Sequence, residues 1–167
     1  MSDNSDIPIS DAKAMEKLVS RLSRSTETLA FAQHIATAIV NGPANHGAAT
    51  LSVLAMSVGI YARGANDARG LEMGVVALAW DLERRRGWSR VRVGQPLRRG
   101  DIGVVIANEE SNHMYLVVDP LDSADPLIAD NQETALHHRR VRGDLEGCLP
   151  TTYFLRAPSL PVRVLAV

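Results

Sequence analysis

The stretch Leu97-Arg98-Arg99-Gly100-Asp101-Ile102-Gly103-Val104-Val105-Ile106 divides the chain into halves with different hydrophobic periods. Before it, apolar residues recur at helical spacing. Ser10-Asp11 predicts a capped helix to about Leu22, with Ala14, Leu18 and Leu22 on one face. Ser25-Thr26-Glu27 opens a second helix to about Val40, stopped by Asn41-Gly42-Pro43. A third, from about Gly47 to Ala62, is apolar nearly all round, which predicts burial. A fourth, from about Gly70 to Arg86, stops at Gly87, with Trp88 packing back on it. After Gly100 the apolar runs are short and bounded by turn residues. Gly103 to Ile106, His113 to Val118, Leu127 to Ala129 and Thr152 to Leu155 read as strands. Helices first and strands after predict an α+β fold in which N-terminal helices pack on a small antiparallel sheet.

The 167 residues suit one domain, expected over residues 10–167, with residues 1–9 as a disordered N-terminus. The formal net charge is −1, so no nucleic-acid partner is expected. No apolar run approaches the roughly 20 residues that span a bilayer. The start is polar and acidic (Asp3, Asp6) and does not read as a secretory signal. The expected compartment is the cytoplasm, with signal-independent export as the alternative. Cys148 is the single cysteine, which excludes an intramolecular disulfide. Seven arginines between Arg84 and Arg99 have no acid among them and read as a solvated rim or a patch for an anionic partner. No Gly-rich phosphate loop occurs, and no cofactor is expected. His137-His138 lacks the companions of a metal site.

Four features carry a functional reading by their order. The first is the buried-helix run Gly47-Ala48-Ala49-Thr50-Leu51-Ser52-Val53-Leu54 to Gly59-Ile60. The second is Gln95-Pro96 and Gly100-Asp101-Ile102 entering a strand. The third is His113 opening the next strand. The fourth is Ala129-Asp130-Asn131-Gln132 after the strand that follows, ahead of Tyr153-Phe154-Leu155-Arg156. This order, over roughly Ala44 to Arg156, resembles the NlpC-like and CHAP-like branches of the papain-fold cell-wall amidases and peptidases. The resemblance implies a papain-like fold. It also implies a cysteine nucleophile at the start of the buried helix, a histidine base opening the second strand, and a polar side chain that orients the histidine. A thiol at a helix N-terminus is activated by the positive end of the helix dipole. The histidine takes and returns the proton, and the third group fixes its tautomer.

Mapped onto this chain, the base is His113 and the orienter Asn131, with Asp130 second to it. The nucleophile position falls on Gly47, which has no side chain. Ala48 and Ala49 beside it cannot attack a carbonyl, Thr50 and Ser52 lie a turn or more inside the helix, and Cys148 is far along the chain. His46, Ala48, Tyr115 and Asp130 are expected to border the groove. The resemblance therefore implies a hydrolase-type domain without its nucleophile, most simply a pseudoenzyme that binds peptide, a peptidoglycan stem or a partner protein. Two alternatives stand beside it: an active amidase carried as a nucleophile-inactivated variant, and a protein-interaction or structural component of a phage-like or secretion assembly whose outer helices, Ser10 to Val40, make the contacts.

Overall fold

The computed structural model describes residues 9–40, 46–61, 74–108, 112–145 and 147–160. The segment expected to be disordered, 1–9, lies outside them except for Ile9. Four helices precede six strands: α1 (Asp11–Leu22), α2 (Glu27–Ile39), α3 (His46–Met56), α4 (Val75–Arg86), β1 (Ser89–Val91), β2 (Ile102–Val105), β3 (His113–Asp119), β4 (Leu127–Ala129), β5 (His137–His138) and β6 (Tyr153–Arg156). The strands form one sheet in the order β1-β6-β2-β3-β4-β5, and every pairing is antiparallel. The fold is thus α+β, and the change of architecture comes at Gly87, ahead of the expected Gly100, because β1 already belongs to the sheet. The edge strands β1 and β5 escape a reading by pattern, because two or three residues establish no period.

α3 is shorter than its apolar run. It ends at Met56 because Gly59, at φ +84°, turns the chain into the left-handed region. The Gly59 N–H donates to the Met56 carbonyl and the Ile60 N–H to the Ala55 carbonyl, each at 3.0 Å. Those two bonds and the buried Ile60 make a Schellman cap, so Gly59-Ile60 is a helix stop with a physical cause. α4 begins at Val75 rather than Gly70; residues 62–73 lie outside the described ones. At its other end Gly87 takes φ +71° and the Trp88 N–H reaches back to the Leu82 carbonyl.

The sheet has a core on each face. Met114, Leu116, Val104 and Leu155 pack with the helices, including Leu18, Leu29, Leu54 and Leu78. Tyr115, Val117, Val105, Ile128 and Phe154 form a smaller cluster on the other face with Val91, Leu97 and Val141. Tyr115 stands opposite Gly103 in the register, and a Cβ at 103 would run into its ring, so the strand keeps glycine there.

Two buried carboxylates brace this frame. Asp11 accepts Arg86 Nε at 2.8 Å and Nη2 at 2.6 Å, and Trp88 Nε1 at 2.8 Å. The cap of α1 is left to Ser10, whose hydroxyl accepts the Lys13 N–H. Asp101 accepts the Arg98 N–H at 2.8 Å and Arg156 Nε and Nη2 at 2.9 and 2.7 Å. The Gly-Asp pair before β2 is therefore a brace between its own turn and β6. Arg86 is spent on Asp11, Arg90 pairs with Glu83 at 2.8 Å and Arg85 with Asp81 at 3.6 Å. The basic stretch is in part a set of internal ties. No helix among the described residues is long and apolar enough to cross a membrane.

Candidate functional site

His113 opens β3 beside the first turn of α3. A Cβ built on Gly47 would lie 3.0 Å from His113 Nδ1, 3.2 Å from Asn131 Oδ1 and 3.3 Å from the Met114 nitrogen. Three residues separated by up to 84 positions (47 to 131) thus meet at one point. Gly47 is buried, and the approach is closer than a side chain ordinarily tolerates.

The other ring nitrogen, His113 Nε2, lies 2.9 Å from Asp130 Oδ2. The hydrogen bond that holds the imidazole is therefore made by Asp130, where Asn131 was expected. Register explains the difference. Leu116 pairs with Ala129 and Val117 with Ile128, so one step further brings Asp130 level with Tyr115, on the face shared by Tyr115 and His113. Asn131 falls on the opposite face, toward Gly47. A shift of one residue exchanges the two.

Asp130 is fully buried. Its Oδ1 accepts the Gln132 N–H at 2.8 Å, and His137 Nε2 lies 3.7 Å from Oδ2. Burial alone would raise its pKa. The hydrogen bond and charge of His113, the Gln132 N–H and the charge of His137 together outweigh that and hold the carboxyl below its ordinary range. From α2, Gln33 Nε2 donates to the carbonyls of Asp130 at 2.8 Å and Glu133 at 2.7 Å, pinning the turn that carries the carboxylate. Gln33 carried no signal in the sequence and His137 was weighed only as part of a metal pair, because their role beside Asp130 arises from long-range packing.

Beneath His113, Tyr115 is buried, with ring centroids 6.3 Å apart and its phenol 2.6 Å from Thr151 Oγ1. Burial pushes its pKa up to about 12 against the opposing pull of Thr151 and Arg139.

Among the described residues, open space lies beside His113 on the wall that carries Arg139 and Cys148. Ala48, Tyr115 and Asp130 have no exposed surface, and none can border a groove. His46 is half-buried at the start of α3. A cleft of about 290 Å³ opens beside His113, lined by Val105, Gln132, Arg139, Gly147, Cys148 and Leu149. Gln132, Arg139 and Cys148 also line a second cleft of about 370 Å³, with His137, His138 and Arg140 on its wall. Cys148, remote in sequence, shares a cavity with His113. Among the described residues no group of three or more His, Cys, Asp or Glu is placed to hold a metal ion.

One property sets this region apart. Among the described residues, the buried side-chain polar atoms without a hydrogen-bond partner are His46 Nε2, Thr50 Oγ1, Asn131 Oδ1, His137 Nδ1 and Arg139 Nε. All five belong to the first turns of α3 or to the segment from the end of β4 to just past β5. Buried polar groups are ordinarily paired, so their concentration here needs a reason. Comparison with protein-family models, curated proteins and solved structures finds no match.

Proposed function

We propose that this chain is a papain-fold, NlpC-like or CHAP-like domain of cell-wall-peptide hydrolase descent that has lost its nucleophile and binds peptide without cleaving it. The observation that carries the reading is the arrangement of Gly47, His113 and Asp130. With Asp130 ionised, His113 Nε2 donates to it, which leaves Nδ1 as the acceptor in the neutral ring. Nδ1 is the atom that faces position 47. A thiol there would stand at a helix N-terminus against a base oriented by a buried carboxylate, the layout that nucleophilic acyl transfer requires.

The closeness of Gly47 supports natural loss over recent inactivation. In a site emptied by substitution, the room for a thiol would be expected to persist. Here a Cβ alone would already press on His113 and Asn131. The polar atoms left unpaired around this point fit a site that once satisfied them with substrate, or still does with a ligand.

The test is turnover on defined muropeptides. The chain as written is expected to release nothing above background, because a base and its orienter cannot replace the covalent step. Gly47→Cys is expected to gain a thiol whose alkylation rate follows the protonation of His113, read against His113→Ala in the same background. Release by the unaltered chain that is abolished by Cys148→Ala would move the nucleophile to the other side of His113 and overturn the pseudoenzyme reading. The interaction-protein alternative draws on the exposed Phe31 of α2 and Val76 and Trp80 of α4. Loss of partner binding on replacing those side chains, with no effect of His113→Ala, would favour it.

A further inference from the structure

Arg139 is a buried guanidinium without a carboxylate. It is 7 % exposed, and among the described residues no acidic side chain stands within 4 Å of it. Its Nη2 donates to the Leu149 carbonyl at 3.0 Å, and its Cζ lies 5.0 Å from the Tyr115 ring centroid. Its Nε has no acceptor. The contrast with the other arginines packed into the fold is direct, since Arg86 and Arg156 each fork onto an aspartate. An arginine stays charged at any relevant pH and is seldom buried without a counter-ion. Stacking on Tyr115 and one carbonyl bond fix its plane but leave its charge unanswered.

Arg139 is also the side chain that joins the two clefts. It lines both, with Gln132 and Cys148. In the first it faces the same space as His113, and in the second it is accompanied by Arg140, His137 and His138. The acids of the second cleft are Asp125 and Asp144, and Asp144 Oδ1 already accepts the Cys148 N–H. The shared wall therefore offers one fixed guanidinium, Arg139, with the Gln132 amide beside it; in the first cleft it shares the space with His113, with no acid among the described residues of the lining.

We infer that Arg139 is the anchor for a free carboxylate of a short peptide lying in the cleft beside His113. The inference rests on the reading of that cleft as a peptide site and adds the group that the site selects. A planar, fixed guanidinium suits a carboxylate, and Gln132 supplies a neutral amide for the peptide backbone next to it.

Cys148 provides the readout, because it is the only cysteine of the chain and lines both clefts. Its alkylation by iodoacetamide is followed by mass while acetyl-Ala-Ala, acetyl-Ala-Ala-amide, acetyl-Ala-Glu-amide or sodium acetate is titrated in. The free acid is expected to protect Cys148 at about tenfold lower concentration than the amide, as loss of a charge-assisted hydrogen bond implies. Arg139→Gln is expected to abolish that difference. Arg139→Lys is expected to keep part of it. Protection by acetyl-Ala-Glu-amide assigns a side-chain carboxylate, and protection by acetyl-Ala-Ala alone assigns a C-terminal one. The acid–amide comparison needs no variant, so it decides even if Arg139→Gln does not fold. Equal protection by acid and amide would overturn the carboxylate anchor and leave the peptide cleft standing. If acetate shifts the Arg139 Nε–H NMR signal while no peptide protects Cys148, the anchor holds and the peptide reading fails. If neither acetate nor any peptide has an effect at millimolar concentration, both are overturned.

Discussion

Asp11 and Asp130 are both buried carboxylates, and their surroundings could hardly differ more. Asp11 receives three N–H donors from Arg86 and Trp88, a charged fork and an indole that tie α1 to the end of α4. Every group at that junction has a partner or reaches the surface. Asp130 receives an imidazole and one turn N–H, and Asn131 next to it and His137 at 3.7 Å have atoms that bond to nothing in the chain. Burying a polar group without a partner costs stability, so an arrangement that serves only the fold tends toward the first kind. The second kind is what a fold tolerates where something other than the fold is served.

The comparison is broken most severely at its structural end. Asp11→Ala leaves Arg86 buried without its counter-ion and Trp88 Nε1 without its acceptor. It is expected to cost about 3–5 kcal/mol, as removal of one partner from a buried pair generally does. Urea denaturation followed by Trp88 fluorescence measures it. A loss under about 1 kcal/mol would mean that water replaces the carboxylate and that the junction is no brace.

The next effect appears in alkali. The pKa of Tyr115 is raised to about 12, so the folded state keeps the phenol proton longer than the unfolded chain does. Its contribution is fully present below the ordinary tyrosine pKa of about 10 and is lost as pH rises through about 12. The whole effect is on the order of 2–3 kcal/mol, at about 1.4 kcal/mol per unit. Tyr115→Phe should flatten that limb of the stability curve and remove the latest step from the phenolate absorbance titration. An unchanged alkaline limb would place the loss in other groups.

Asp130→Asn probes the opposite end of the pH scale and the other half of the comparison. A carboxyl held below its ordinary range stabilises the fold at pH values above about 4. It ceases to do so as pH falls through the lower, folded-state value. The variant is expected to lose about 1–2 kcal/mol at neutral pH, the scale of one hydrogen bond involving a charged group, and to lose part of the acid limb. The informative readout is the tautomer of His113 by nitrogen chemical shifts. If Asp130 orients the ring, the Nε2–H form gives way to a mixture; if stability falls and the tautomer does not change, Asp130 is another Asp11.

Much of this frame can be read from residues. The period change at Gly100 locates β2, β3, β4 and β6, and a lone histidine at a strand start turns out to sit against Gly47; the end of α3, expected near Ala62, was missed because the Gly59-Ile60 stop lies inside an apolar run. What could not be read depends on register and on contacts between distant segments. Asp130 and Asn131 are adjacent and both polar, and only the pairing of Leu116 with Ala129 decides which one reaches His113. The groove was expected beside His46, Ala48, Tyr115 and Asp130, as the resemblance implies. Packing encloses Ala48, Tyr115 and Asp130 instead, and a described cleft opens on the Arg139 side, in a segment whose sequence reads only as a connection. Gln33 reaches across 97 positions to hold Asp130, a contact that no local pattern announces.

The smallest effect bears on history. Gly47→Ala adds a helix former inside a buried helix, a gain of about 1 kcal/mol from propensity alone. Against it stands a Cβ at 3.0 Å from His113 Nδ1, 3.2 Å from Asn131 Oδ1 and 3.3 Å from the Met114 nitrogen. The first two are side-chain atoms and can yield a few tenths of an ångström. The third is strand backbone, held by pairing with β2, and yields less. The two contributions should nearly cancel, leaving stability within about 1 kcal/mol of the parent, while the His113 imidazole signals move because the ring has been displaced. Stabilisation by the full propensity gain with unmoved His113 signals would mean that room for a side chain persists at position 47, which is what a recently inactivated enzyme would keep. A loss beyond about 2 kcal/mol would mean that the strand does not give, and that α3 has settled against β3 too far for a thiol to be restored by one substitution.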